Sequence, residues 1–182
     1  MMQHVDTHRE TYSQDHPAPP SVWKDLGALL IKIAAIAAIT LLLFTFVYGL
    51  HYVTEPSMTP AIEDGDLLLY YRWDKDYHSN DLVVFKKDGA KQVRRVVASS
   101  GDEVDITDAG LVINGSVQQE RSIYAKTQRY ETDIKFPLVV GQDEVFVLGD
   151  AREGVSDSRV YGPIPQSKTQ GTVIALLRRR SL

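Results

Sequence analysis

Residues Leu26 to Leu50, LGALLIKIAAIAAITLLLFTFVYGL, constrain this chain more than any other feature. Lys32 is their only charge, and none follows it before Leu50. A helix crosses the hydrocarbon core of a bilayer with roughly 20 mostly apolar residues. Lys32 can extend its ammonium towards the headgroups. A cleaved leader is the rival reading, but the run is long for one, and no small-x-small pattern follows before charged and bulky residues resume. A buried core helix fits less well, because the segment is apolar on every side. The chain thus divides into a flexible, cytoplasmic tail over 1–25, a transmembrane helix over 26–50 and one domain over 51–182.

Orientation follows from the flanking charges. Lys24 and Lys32 lie at the N-terminal end of the run and Glu55 beyond its other end. That places the tail inside and the domain outside. The lipid bilayer is therefore one expected partner. Nucleic acid is not, since the net charge is −4 and no basic stripe would follow phosphates. The chain has no cysteine, which excludes disulfides, thiolate metal sites and a cysteine nucleophile. Of five histidines only His51 and His78 follow the apolar run, so neither a metal nor another cofactor is expected.

Beyond Leu50 the pattern changes to short β-branched or aromatic runs bounded by Gly, Asp, Asn or Pro. DLLLYYRW, DLVVFKK, KQVRRVVAS, GLVINGSVQ, FPLVV, EVFVLGD and GTVIALL all read as strands. Asn114-Gly115 is a hairpin signal. The expected fold is an all-β ectodomain, a barrel or sandwich closed or nearly closed to hide its edges, behind one N-terminal helix.

Three stretches carry polar chemistry. Ser57 lies in Glu55-Pro56-Ser57-Met58-Thr59-Pro60, between two prolines that restrict its backbone, soon after the apolar run. Arg94 and Arg95 are adjacent on a strand, so their side chains point to opposite faces and the inward one needs a partner. Asp157, in the loop Gly149-Asp150-Ala151-Arg152 to Ser156-Asp157-Ser158-Arg159, is the natural candidate for that partner.

Together, SMTP after a membrane anchor, DLVVF, RRVVASSGDEV, LVINGSV and GDAREGVSDSR resemble the bacterial type I signal peptidases over residues 26–164. The resemblance implies a serine endopeptidase at the outer face of the plasma membrane, taking signal peptides of secreted or surface preproteins as substrates. It implies a β ectodomain with an apolar surface resting on lipid. Ser57 becomes the nucleophile, with its backbone N–H in the oxyanion hole. A neutral lysine would take its proton. Met58, Pro60, Arg95, Gly149, Asp150, Asp157, Ser158 and Arg159 form the scaffold, with Arg95 and Asp157 as an ion pair.

Three positions depart from the family pattern. The general-base position holds Arg94, whose guanidinium stays protonated. Lys91, Lys86, Lys87, His78 and His51 are the other nitrogen bases in reach along the sequence, and Lys91, three residues from Arg94, should face the opposite way. Val155 stands where the family has a serine that orients the lysine. Glu55 stands where it often has Gly or Ser, and a carboxylate there cannot donate to an oxyanion. The alternative is thus a catalytically impaired homologue that binds precursors, such as pilin precursors, as an accessory factor in pilus or surface-protein assembly.

Overall fold

The computed structural model describes residues 22–120 and 123–178. The N-terminal tail therefore lies outside the described residues up to Ser21. The chain forms two compact units, Met1–Ile39 and Thr40–Leu182.

Helix α1 spans Val22–Leu42 and continues as a π-helical turn over Leu43–Val47. No α1 side chain is buried in protein, so its aliphatic residues present apolar surface all round. The whole helical run, Val22–Val47, is long and apolar enough to cross a bilayer. Thr45 inside it returns its hydroxyl to the Leu41 carbonyl at 2.7 Å, so its polar atom is satisfied locally. The helix starts before Leu26 and stops before Leu50. Tyr48–Tyr52 is already the first strand, β1.

The second unit is almost entirely strand. β2 (Leu67–Tyr71), β3 (Leu82–Lys87), β4 (Ala90–Ser99), β9 (Glu144–Leu148), β10 (Ile164–Pro165) and β11 (Thr169–Leu177) join β1 in an antiparallel seven-stranded sheet ordered β1-β2-β11-β3-β4-β9-β10. A second sheet, ordered β7-β6-β5-β8, holds β5 (Glu103–Thr107), β6 (Gly110–Ile113), β7 (Ser116–Val117) and β8 (Leu138–Val139). β6 and β7 turn at Asn114-Gly115, where both residues have positive φ (51° and 75°), the geometry that this pair favours in a tight hairpin.

The strands alternate as the pleat requires, and three apolar clusters result. Val53, Met58, Ile62, Leu68, Tyr70, Val84 and Val93 form one. Tyr77, Val83, Phe85, Val96, Val145, Val147 and Ile164 form another. Val97, Ala98, Val104, Ile106, Leu111, Val140, Phe146 and Leu148 tie the small sheet to the large one. The first two clusters meet at β3 and β4, where Val84 and Val93 face one and Val83 and Val96 the other. The site described next lies at this seam.

Candidate functional site

Ser57 sits in a single 3-10 turn, Pro56–Met58. Pro56 supplies the first position of that turn, where its missing N–H costs nothing. The Thr59 N–H closes it on the Pro56 carbonyl at 3.1 Å, and the Ile62 N–H bonds the Met58 carbonyl at 2.9 Å. Met58 and Ile62 are buried in the core and pin the turn from below. The Thr59–Pro60 peptide is cis. Ser57 itself is 6% exposed.

The loop after β9 holds the turn from the other side. The Ala151 N–H donates to the Ser57 carbonyl at 3.1 Å. Gly149 makes that approach possible, since a Cβ there would lie 2.5 Å from Val155 Cγ1 and 2.8 Å from the Ser57 carbonyl oxygen. Val155 is buried and presents only methyl groups to this contact.

Arg94 lies in mid-β4, in register with Val83, and is 1% exposed. Its Nε and Nη2 donate to the Ser156 carbonyl at 3.1 and 3.0 Å. Its Nη1 donates to the Val93 carbonyl at 2.6 Å, to Ser57 Oγ at 2.7 Å and to Glu55 Oε1 at 2.7 Å. The inward arginine is therefore partnered by Glu55, and not by Asp157 as the sequence suggested. The reason is chain geometry: Glu55 is extended and two residues before Ser57, so its side chain reaches the same face of the turn. A lone carboxylate at position 55 would repel an oxyanion. Here Arg94 neutralises it.

Arg95 points to the opposite face and donates to both oxygens of Asp150, Nε to Oδ1 at 2.9 Å and Nη2 to Oδ2 at 2.5 Å. This bidentate bond holds its guanidinium pKa above the ordinary value, against the effect of burial. The expected Arg95–Asp157 pair does not form. Asp157 is wholly buried and taken by Arg159, whose Nε, Nη2 and backbone N–H donate at 2.9, 2.8 and 3.0 Å, and by the Gly149 N–H at 3.1 Å. Asp157 thereby caps the short helix α2 (Ser158–Tyr161) while fixing Gly149 beside Ser57. Ser158 Oγ accepts the Val147 N–H at 2.9 Å, which ties α2 to β9. Scaffold and site residues thus converge on one place: Ser57, Met58, Pro60, Arg94, Gly149 and Asp157 through direct bonds or packing, Arg95 with Asp150 on the reverse face of β4.

A pocket of ≈ 530 Å³ opens over Ser57, lined by Glu55, Thr59, Gln92, Arg94, Glu153 and Gly154 among others, and by no lysine or histidine. Lys91 shares the face of Val93 and lies 5.5 Å from the Tyr70 ring. Lys87 lies over Tyr161, and His78 is exposed beside Asp81. His51 is half-buried. Burial first, and the charge of Lys91 second, lower its pKa below the usual imidazole value. Gln92 was not among the residues singled out in the sequence. Its place two residues before Arg94 puts it on the same face, which is the signal that finds it. Glu55 was singled out, but as an obstacle. That it is the partner of Arg94 needed the fold.

Comparison with known proteins identifies the family. The family model described as signal peptidase, peptidase S26, matches residues 26–177. A Synechocystis protein named "Probable signal peptidase I-2" is 30% identical over 175 residues, 90% of this chain and 77% of that one. Signal peptidase I of Bacillus licheniformis is 30% identical over 166 residues, 84% and 86% of the two chains. A crystal structure of a signal peptidase I from Enterococcus faecalis V583 covers 54% of this chain and 97% of its own, at 24% identity and a TM-score of 0.48. A match over nearly the whole described chain is more than a shared fold: this chain belongs to the signal peptidase, peptidase S26, family.

Proposed function

We propose that the protein processes the signal peptides of preproteins, with Ser57 as the nucleophile and its backbone N–H in the oxyanion hole. The observation that supports this most is the placement of Ser57 Oγ under a pocket of ≈ 530 Å³, in a chain of this family. An extended peptide laid in the pocket brings its scissile carbonyl to Ser57. Attack by Oγ gives a tetrahedral oxyanion, and Arg94, fixed by the Ser156 and Val93 carbonyls, supplies positive charge beside it. The helical run Val22–Val47 anchors the domain, with the N-terminal tail cytoplasmic and the β unit at the outer face of the plasma membrane. In detergent, the full-length chain is expected to cut a preprotein after a small-x-small motif, and Ser57→Ala to lower the rate by about 10³-fold or more. Product formed at an equal rate by Ser57→Ala overturns the assignment of the nucleophile.

One observation favours a second reading. Arg94 stays protonated and donates to Ser57 Oγ, and a lysine base is missing from that position. On this reading the protein binds precursors without cutting them, as an accessory factor in pilus or surface-protein assembly with pilin precursors among its ligands. Saturable binding of a signal peptide with no product between about pH 5 and 10 supports it, and turnover abolished by Ser57→Ala removes it.

A further inference from the structure

We infer that Glu55 is the proton acceptor for Ser57, in a Ser57–Arg94–Glu55 relay that takes the place of a serine–lysine pair. The inference rests on the hydrolytic reading of the Ser57 site given above.

The geometry starts from a single nitrogen. Arg94 Nη1 donates to Ser57 Oγ and to Glu55 Oε1, each at 2.7 Å. The two oxygens therefore lie no further apart than twice that distance. One water spans such a gap with two hydrogen bonds. Arg94 cannot move, because its Nε and Nη2 are held on the Ser156 carbonyl and Nη1 on the Val93 carbonyl. It is a fixed cation between a hydroxyl and a carboxylate.

The pocket offers little else. Besides Arg94, its titratable lining residues are Glu55 and Glu153. Glu55 is bonded into the cluster, yet its side chain is 36% exposed, so it keeps access to the leaving group and to water. Arg94 of β4 is bonded to it, and the charge of Glu55 reaches His51 of β1 and Tyr161 of α2.

The steps balance without a further reagent. The Ser57 Oγ–H proton passes to Glu55 through a bridging water, as Oγ bonds the scissile carbonyl carbon. The carbonyl π pair moves to its oxygen. Arg94 stabilises the negative charge on Oγ as the proton leaves. On collapse the C–N bond breaks and the amine takes the proton back from Glu55. In the second half Glu55 accepts a proton from water, the hydroxide oxygen bonds the acyl carbon, and Ser57 Oγ leaves and is reprotonated by Glu55. The carboxylate acts as base and then acid, as a general acid–base group must.

The test is steady-state cleavage of a preprotein by the full-length protein in detergent, wild type against Glu55→Gln and Glu55→Asp. Glutamine still accepts the Arg94 N–H, so the cluster survives while the base is lost. The expected result is a fall in kcat/KM of about 10²–10⁴-fold for Glu55→Gln, carried in kcat, with Glu55→Asp closer to wild type. If Glu55→Gln stays within about threefold of wild type while Ser57→Ala is inactive, Glu55 is not the base and the peptidase reading stands. If Glu55→Gln gains activity, Glu55 restrains the site and the inference is wrong. If wild type makes no product at any pH, the hydrolytic reading falls and takes this inference with it. Unchanged thermal unfolding of Glu55→Gln separates a chemical loss from a folding one.

Discussion

Asp157 satisfies four N–H donors from a wholly buried position, three of them on Arg159. Removing one member of a buried pair leaves the other charge without compensation. Asp157→Ala should therefore cost about 3–5 kcal/mol, read by denaturant unfolding. It should also release Gly149 from its place beside Ser57. His51 gives a pH-dependent test. Burial, then the charge of Lys91, lowers its folded-state pKa below 6.5. As pH falls through 6.5 the unfolded chain takes up the proton first, so stability present above that value is lost below it, levelling off once the folded protein is protonated too. Compared with wild type, His51→Gln should lose less stability between about pH 7 and 5. An equal loss would show that His51 titrates alike in both states.

At the scale of elements, two glycines decide where chains cross. Gly171 has φ +142°, and a Cβ there would lie 2.0 Å from the Tyr71 carbonyl oxygen, where β11 shifts register against β3. Gly171→Ala should destabilise by about 2–3 kcal/mol. Gly149→Ala should act differently: its Cβ meets Val155 and the Ser57 carbonyl, so cleavage should fall more than stability. A Gly149→Ala protein with wild-type kcat/KM would contradict the view that this packing positions the serine. All seven strand-like runs of the sequence contain strand, and Asn114-Gly115 turns as its type requires. Strands β1, β5 and β10 were not legible. β1 is hidden in the tail of the apolar run, where a buried strand and a lipid-facing helix share a composition. β10 has only two residues, one of them proline. The partners of Arg94, Arg95 and Asp157 were not legible either, since alternation says which face a side chain takes and not which carboxylate the fold brings to it.

At the scale of the whole molecule, helix α1 buries none of its side chains, and the β unit keeps apolar side chains on its own surface. Leu50, Tyr52, Trp73, Ile174 and Leu177 of that unit are all more than 40% exposed. Such a surface fits lipid better than water. The full-length chain should remain in the membrane pellet after alkaline carbonate extraction, and release into the supernatant would argue against a spanning helix. Protease added outside intact spheroplasts should digest the β unit and spare a tag at Met1. The reverse pattern would overturn the orientation drawn from Lys24 and Lys32. The anchor was the most legible feature of the chain, because the eighteen uncharged residues Ile33 to Leu50 need no partner to be recognised.

The shared hydrogen bond between Arg94 Nη1 and Glu55 has an evolutionary consequence. Arg94→Lys alone does not recreate a neutral amine, since Glu55 holds the new ammonium charged. Glu55→Ser alone strips the relay of its acceptor and strands a buried guanidinium. The double change removes both charges' reasons for being there. Positions 55 and 94 should therefore show sign epistasis: Glu55→Ser lowers cleavage beside arginine and raises it beside lysine. A four-variant cycle measures this coupling, and additive effects would refute it.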